Sequence, residues 1–315
     1  MTMELANVAA FVAVVDAAGF TAAAGMLHLS QPALSRRIAL LERGLGQPLF
    51  ERGPRGVRLT DAGETFLPHA RAALACLRDG AAALDELTRG DTGTLTLAIV
   101  GTLASTGVAL QLGQFRLAHP RVRVLLRTGS SSDVSNLVRR GEASLGLRYF
   151  ADGAADLVSR DVYHEPLLIV APADHPLANL RRVAPERLRD ASWVAFPERG
   201  GPAPDPFARV LTRTLAAVGL DETTIVHIDS LTAQKRLVEA GFGLALVPRS
   251  SVVEELARGS LRALDVRGIK PLVHVTLIHR KTAFLGRAAR QLMVALAQVP
   301  ARPATRRRAP RRASS

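Results

Sequence analysis

The chain has 315 residues, 48% of them hydrophobic, so it is long enough for two or three domains with cores and too apolar for a disordered protein. Its net charge of +13 favours nucleic acid or another anionic surface as a partner. The single cysteine, Cys76, excludes an intrachain disulfide and a cysteine-based metal site. No apolar run approaches the ~18 residues of a membrane span, and no basic start of a signal peptide is present, so we expect a cytoplasmic protein.

Three short helices are predicted at the beginning of the chain. Residues 4–17 form the first, because their apolar side chains recur at spacings of three and four. Thr21 is the expected N-cap of a second helix over residues 22–27. Ser30 is the expected N-cap of the third, with Pro32 in the first turn, where its missing N–H costs nothing.

The third helix has two contrasting faces. At 100° per residue, four apolar side chains form one stripe that must face a core: Leu34, Ile38, Leu41 and Leu45. The opposite face carries small side chains and two guanidinium groups: Pro32, Arg36, Ala39 and Arg43, with Ser35 at its edge. Such a face suits insertion into a DNA major groove. A solvated amphipathic helix explains it equally well.

A basic β-hairpin is predicted at residues 49–59, with its turn at 53–56. Arg52, Arg55 and Arg58 lie on this hairpin, from which they can reach phosphates or the minor groove. The alternative is an ordinary basic turn. It is less favoured, because the hairpin would lie beside the third helix.

Residues 5–63 resemble the winged helix-turn-helix of LysR-type transcriptional regulators. The matching stretches are SQPALSR at 30–36, LFER at 49–52 and LTDAG at 59–63. The DNA-contacting residues that the resemblance implies are Thr21 at a helix start, Gln31, Pro32, Ser35 and Arg36 on the recognition helix, and Arg52 on the wing. We add Arg55 because of its place on the same hairpin.

Residues 61–88 predict one helix about 42 Å long, with a bend or break near Pro68. Its apolar stripe has the alternating spacing of a coiled-coil seam: Phe66, Ala70, Ala73, Leu77, Gly80, Leu84 and Leu87. We expect this helix to join two copies of the chain, as the family's linker helix does. The alternative is a helix packed on its own domain.

After a hinge at 90–93, short strands alternate with helices, which predicts parallel α/β sheets. The expected strands are 95–100, 122–127, 145–148, 167–170, 192–196, 224–228, 244–247 and 273–279, and the expected helices are 103–118, 131–140, 205–218, 231–240 and 284–297. Residues 91–300 resemble the family's effector-binding domain, whose fold is like that of a periplasmic binding protein. AGFGLALVP at 240–248 matches best, whereas Ser144 stands where the family usually has Asp.

A ligand in such lobes lies at the C-terminal ends of the strands, against helix N-termini. Six residues are candidates by this geometry: Thr102, Ser105, Ser130, Arg148, Phe196 and Ser230. Hydroxyls, helix starts and one arginine suit a small anion such as a carboxylate. Thr102, Ser130 and Phe196 also match positions that line the family's effector pocket. Each candidate could instead be an ordinary cap, and Arg148 could pair with a local acid.

The predicted architecture is multidomain: an all-α winged helix-turn-helix with a long linker helix, then a two-lobed α/β effector-binding domain. The expected boundaries are 1–60 for the DNA-binding domain, 61–90 for the linker, 91–300 for the effector-binding domain (lobe one 91–162 and 267–300, lobe two 163–266) and 301–315 for a tail. The tail holds six arginines and no acid, and removing them from +13 leaves +7. It either adds weak, salt-sensitive DNA affinity or is a solvated extension.

The chain is therefore predicted to be a LysR-type regulator that binds operator DNA with inverted half-sites under control of a small-molecule effector. The other expected partner is a second copy, in a homodimer or homotetramer, with RNA polymerase as a further candidate and no membrane. No catalytic residue, cofactor or metal is predicted, because no hydrolase elbow, zinc helix or dinucleotide loop is present. The alternatives are a solute-binding transport component, an enzyme with a DNA-binding appendage, and a regulator without ligand control. The sequence leaves the effector, the operator and the sign of regulation open.

Overall fold

A computed structural model describes residues 3–53, 56–89, 92–104, 106–198, 205–220 and 223–298, so the predicted tail lies outside the described residues. The chain divides into two compact units. The first comprises residues 1–90 with the short segments 139–142 and 282–286, and the second comprises the remainder. Within the described part of the chain, none of the helices combines the length and the apolar character needed to cross a bilayer.

The first unit contains the predicted helices and hairpin. Its elements are α1 (Leu5–Asp16), α2 (Phe20–Met26), α3 (Gln31–Leu45), β1 (Phe50–Gly53), β2 (Gly56–Leu59) and α4 (Asp61–Arg89). Helix α2 starts earlier than predicted, because Ala23 N already donates to Gly19 O at 3.1 Å. Gly19 is the N-cap, so the prediction that Thr21 caps this helix is wrong.

Phe11 lies at the centre of the hydrophobic core of this unit. It is fully buried, and its ring centroid is 5.3 Å from that of Phe50 and 5.5 Å from that of Phe66. The predicted inner stripe of α3 packs here, with Leu34, Ile38 and Leu41 buried and Leu45 partly buried. Phe66 and Ala70 of α4 belong to the same core, so neither is available to the coiled-coil seam predicted for them.

Helix α4 is 29 residues long and runs through Pro68 without the predicted break. Pro68 falls in the second turn, where its missing N–H removes one backbone hydrogen bond while the remaining turns continue. Beyond the core, four small or apolar residues are exposed at spacings of four and three: Ala73, Leu77, Gly80 and Leu84. We call these four residues the α4 stripe. Of Leu87, the last residue of the predicted seam, only the backbone is described.

The later helices are α5 (Thr106–Ala118), α6 (Ser131–Arg139), α7 (Val210–Ala216), α8 (Leu231–Glu239), α9 (Val253–Arg258) and α10 (Arg287–Ala297). The later strands are β3 (Gly93–Val100), β4 (Val122–Gly129), β5 (Leu145–Tyr149), β6 (Leu157–Pro172), β7 (Trp193–Ala195), β8 (Ile225–His227), β9 (Ala245–Pro248), β10 (Leu261–Leu264) and β11 (Leu272–Arg280). Helix α7 is shorter than predicted, and α9 and β10 were not predicted.

Seven of these strands form one mixed sheet in the order β10-β6-β11-β5-β3-β4, with β9 also paired to β6. Only β3, β4 and β5 run parallel to one another there, while β6 and β11 are antiparallel. A separate pair, β7 and β8, is parallel. The prediction of parallel sheets therefore holds for β3, β4, β5, β7 and β8. It is wrong for β6, β9, β10 and β11, which pair antiparallel.

Strand β6 links the two lobes of this α/β unit. Its residues 157–166 pair with β11, and its residues 167–172 pair with β9 and β10. The sequence predicted only a short strand at 167–170, with a lobe crossing at 160–163. In the structure, that crossing segment is itself an ordered part of the sixteen-residue strand.

Candidate nucleic-acid interface and ligand cavity

The start of α3 presents a small, polar and basic surface. Ser30 caps the helix as predicted, with its Oγ accepting a hydrogen bond from Ala33 N at 3.3 Å. The four predicted DNA-contacting residues on this helix are accessible: Gln31, Pro32 and Arg36 are exposed and Ser35 is half-buried. Thr21 is also exposed, in the first turn of α2. The helix therefore offers this face to a ligand, and its role in DNA binding remains a prediction.

Glu42 fixes the hairpin next to α3. Its Oε1 accepts hydrogen bonds from Leu49 N at 2.8 Å and from Phe50 N at 3.2 Å, where β1 begins. Glu42 was not predicted as a functional residue, because an acid on a helix gives no local signal of a partner seven residues away. Helix and hairpin are thus held together by a side chain of α3 itself.

Two of the three predicted wing arginines lie on the strands of the hairpin. Arg52 lies in β1, and only its backbone is described. Arg55 lies outside the described residues. Arg58, in β2, is exposed. Strand pairing runs from Phe50 with Leu59 to Gly53 with Gly56, which confirms the predicted antiparallel hairpin.

A cavity of about 630 Å³ lies in the α/β unit, at the C-terminal ends of β3, β4, β7 and β8. Four of the six predicted effector-binding residues line it: Thr102, Ser130, Phe196 and Ser230. Ser105 lies outside the described residues. Because the two parallel strand groups end on opposite sides of this cavity, residues far apart in sequence meet there. The volume is that of a site for a small metabolite.

The prediction that Arg148 points into the cleft is wrong. Its side chain is buried within the first lobe, where Nη1 donates to Ser135 Oγ and to Asp152 Oδ2, both at 2.7 Å. Phe150 adopts a left-handed backbone conformation with φ of 59°, which turns the chain so that Asp152 comes back to the arginine. Arg148 therefore pairs with a local acid, which was the alternative expectation for this residue.

Aromatic side chains form one side of the cavity. The ring of Phe207 stacks on Tyr149 with centroids 4.1 Å apart and meets Phe196 edge-on at 6.0 Å. Thr102 Oγ1 donates a hydrogen bond to the Tyr149 hydroxyl at 2.9 Å. Burial raises the pKa of Tyr149, so this phenol remains uncharged. Phe207 was not predicted, because it follows a Pro-rich stretch without a recognisable pattern.

The charged residues of the cavity are acidic. Asp133, Asp205 and Asp229 line it, and no lysine or arginine is found among the described residues of its wall. This charge is the opposite of the one expected for an anionic ligand. Asp133 could have been noticed, since Ser-x-x-Asp is a capping-box pattern, whereas Asp205 and Asp229 carry no local signal.

A unit with an exposed recognition-type helix beside a hairpin, followed by a two-lobed unit with a metabolite-sized cavity, defines a ligand-responsive DNA-binding regulator. Comparison with known families agrees. Residues 5–64 match the model of the bacterial regulatory helix-turn-helix protein, lysR family, and residues 88–301 match the LysR substrate binding domain. The chain belongs to the LysR family of DNA-binding transcriptional regulators with effector-binding domains.

Matches to individual proteins cover most of the chain. It is 31% identical over 279 residues to the HTH-type transcriptional regulator TfdS of Cupriavidus pinatubonensis, covering 88% of this chain and 92% of that protein. A full-length OxyR variant from Pseudomonas aeruginosa shares the fold, with a TM-score of 0.72, 22% identity and coverage of 96% and 97% of the two chains. Full-length CbnR complexed with target DNA has a TM-score of 0.63, 24% identity and coverage of 95% and 100%.

Proposed function

We propose that this regulator reads operator DNA with inverted half-sites through two copies of α3 and its hairpin, joined along α4, and that a small molecule in the cavity controls the complex. The observation that carries the proposal is the exposed face of α3, which presents Gln31, Pro32 and Arg36 to solvent. The capped helix start and the Glu42 hydrogen bonds hold this face in a defined position beside the hairpin. A pre-positioned helix of this kind suits the major groove.

The α4 stripe supports self-association. Leu77 and Leu84 expose 54% and 65% of their surface, and Ala73 and Gly80 beside them would let a second helix approach closely. We infer a homodimer, or a homotetramer built from two dimers, that acts in the cytoplasm without catalysis of its own. RNA polymerase is a further candidate partner at the promoter.

Replacement of Arg36 by alanine tests the DNA-binding face. We expect Arg36→Ala to weaken binding to an operator selected from genomic DNA by about tenfold, because removing a contact to a base or a phosphate costs about 1–3 kcal/mol. The readout is an electrophoretic mobility-shift titration at several salt concentrations. If each of the two Arg36 side chains of the dimer neutralises one phosphate, the salt slope of the variant is smaller by about 1.8.

The matched control is Arg116→Ala, which removes the same exposed charge from α5. It should leave the operator affinity unchanged. Circular dichroism melting of both variants shows whether folding is preserved. If a folded Arg36→Ala protein bound the operator with wild-type affinity, the proposed DNA-binding face would be wrong.

A further inference from the structure

The carboxylates that line the ligand cavity indicate which class of effector fits. Asp133 lies in the first turn of α6, and Asp229 directly precedes Ser230, the N-cap of α8. Asp205 also lines the cavity, near the aromatic side chains. We propose that the effector is an organic cation, such as a molecule with a protonated amine, recognised by Asp133, Asp205 and Asp229. This inference rests on the proposed function, in which the cavity is the effector site.

The N-terminus of α6 already has a carboxylate partner from the chain itself. Asp205 Oδ2 accepts a hydrogen bond from Ser131 N at 3.3 Å, and its Oδ1 accepts one from Phe207 N at 3.0 Å. The positive end of a helix is where an anionic ligand would otherwise bind. With Asp205 in that place, an incoming anion would have to displace it and would also meet its charge.

Asp133 takes up further donors at the same helix start. Its Oδ2 accepts from Ser130 N at 3.0 Å and from Ser130 Oγ at 2.7 Å, and Ser130 Oγ accepts from Asp133 N at 3.2 Å. This reciprocal capping box uses the hydroxyl that an anion would need. The predicted anion-binding serine is thus engaged with a carboxylate that carries negative charge to the cavity wall.

The second lobe repeats the arrangement. Ser230 caps α8, with its Oγ accepting from Ala233 N at 3.3 Å, and the residue before it is Asp229. Both helix starts therefore bring a carboxylate to the wall, whose described residues include no arginine or lysine. Unlike charges attract most strongly where water is partly excluded, so this wall favours a cation over an anion of the same shape.

The aromatic side of the cavity suits the same ligand class. Phe196 and Phe207 meet edge-on, and the face of an aromatic ring attracts an ammonium group. Among the described residues, no three His, Cys, Asp or Glu side chains are grouped as metal ligands are. Carboxylates spread around a volume of about 630 Å³ instead match a molecule with an ammonium group and a carbon skeleton.

Matched pairs of amines and acids test the charge preference on the full-length protein. The probes are 2-phenylethylamine against phenylacetate, and putrescine against succinate, because each pair has a similar skeleton and opposite charge. We expect saturable binding of at least one amine in isothermal titration calorimetry, with a raised melting temperature and no such effect of its acid.

Single changes from aspartate to asparagine show which carboxylates are responsible for the charge preference. Asp229→Asn should weaken the amine affinity about tenfold, and Asp205→Asn should raise the affinity for the acids, because the charge at the start of α6 is removed while an oxygen acceptor remains. The matched control is Asp174→Asn, an exposed residue outside the cavity wall, which should change neither affinity.

Three results would overturn the proposal. The protein could bind the acids more tightly than the amines, or it could bind none of the amines. It could also bind an acid in a way that is lost in Arg199→Gln. Arg199 belongs to the segment 199–204 outside the described residues, so its variant tests for a cation contributed from there. Operator binding is measured in parallel by mobility shift. A protein that binds its operator and prefers acids refutes only the charge assignment, whereas one that binds no operator refutes the proposed function.

Discussion

Glu165 is a buried carboxyl group in β6 whose charge state links stability to pH. It is only 6% exposed, and its Oε1 accepts a hydrogen bond from Ser250 N at 3.0 Å. Burial raises the pKa of Glu165, and the hydrogen bonds from Ser250 and the charge of Arg249 offset this only in part. The unfolded chain therefore releases this proton at lower pH than the folded chain, so stability falls as pH rises through the folded pKa.

We expect the wild-type protein to lose stability relative to Glu165→Gln as the pH rises above the ordinary glutamate pKa of 4.5. Glutamine keeps an oxygen acceptor for Ser250 N and has no charge to bury. The measurement is urea unfolding of both proteins at several values between about pH 4 and pH 8. Glu186→Gln, at an exposed site, is the control. A stability difference that does not change with pH would contradict the expectation.

Glu42 is expected to determine the geometry of the DNA-binding unit. Glu42→Ala leaves the N–H groups of Leu49 and Phe50 without their carboxylate acceptor, so the free energy of unfolding should fall by about 1–3 kcal/mol. Operator affinity should fall as well, because the hairpin loses its attachment to α3. Urea denaturation and mobility-shift titration measure the two effects.

Glu42→Gln separates positioning from charge. Its side-chain oxygen can still accept from Leu49 N, so this variant should retain most of the stability and affinity that Glu42→Ala removes. If Glu42→Ala were as stable as the wild-type protein, the two hydrogen bonds would have no role in holding the hairpin.

Among the elements, those defined by local patterns could be predicted from the sequence. The two faces of α3, the Ser30 cap and the antiparallel hairpin all depend on residues within about one helical turn or one hairpin of each other. The start of α2 was misplaced because Thr21 is a good cap by residue type, yet the first helical hydrogen bond already closes on Gly19. Strand β10 was missed because four residues carry no decisive alternation, and its place depends on pairing with β6.

The α4 stripe gives a prediction about assembly. Leu77→Glu combined with Leu84→Glu should convert the protein to a monomer, because four charges would be buried in each dimer seam without partners. Light scattering after size-exclusion chromatography gives the molar mass directly. Ala82→Glu, exposed on the opposite side of the same helix, should leave the oligomer intact. A dimer that survives the double change would place the contact elsewhere.

At the scale of the whole molecule, the order of domains was predictable and the contacts between distant segments were not. Thr102, Ser130, Phe196 and Ser230 could be placed at one cavity because each follows a parallel strand, and strand ends of that kind meet. The hydrogen bond from Ser131 to Asp205 joins residues 74 positions apart, and no local pattern contains it. The negative wall of the cavity was therefore visible only in the folded chain.

The continuity of β6 has a consequence for signalling. Its residues are held by β11 as far as Pro166 and by β9 and β10 from Leu167 onward, so the change of partner falls at a single peptide unit. Closing of the lobes must then twist or bend a hydrogen-bonded ribbon, because no slack loop is available at this crossing. An effector that changed the angle between the lobes would therefore strain the hydrogen bonds of β6 by an amount that grows with the angle.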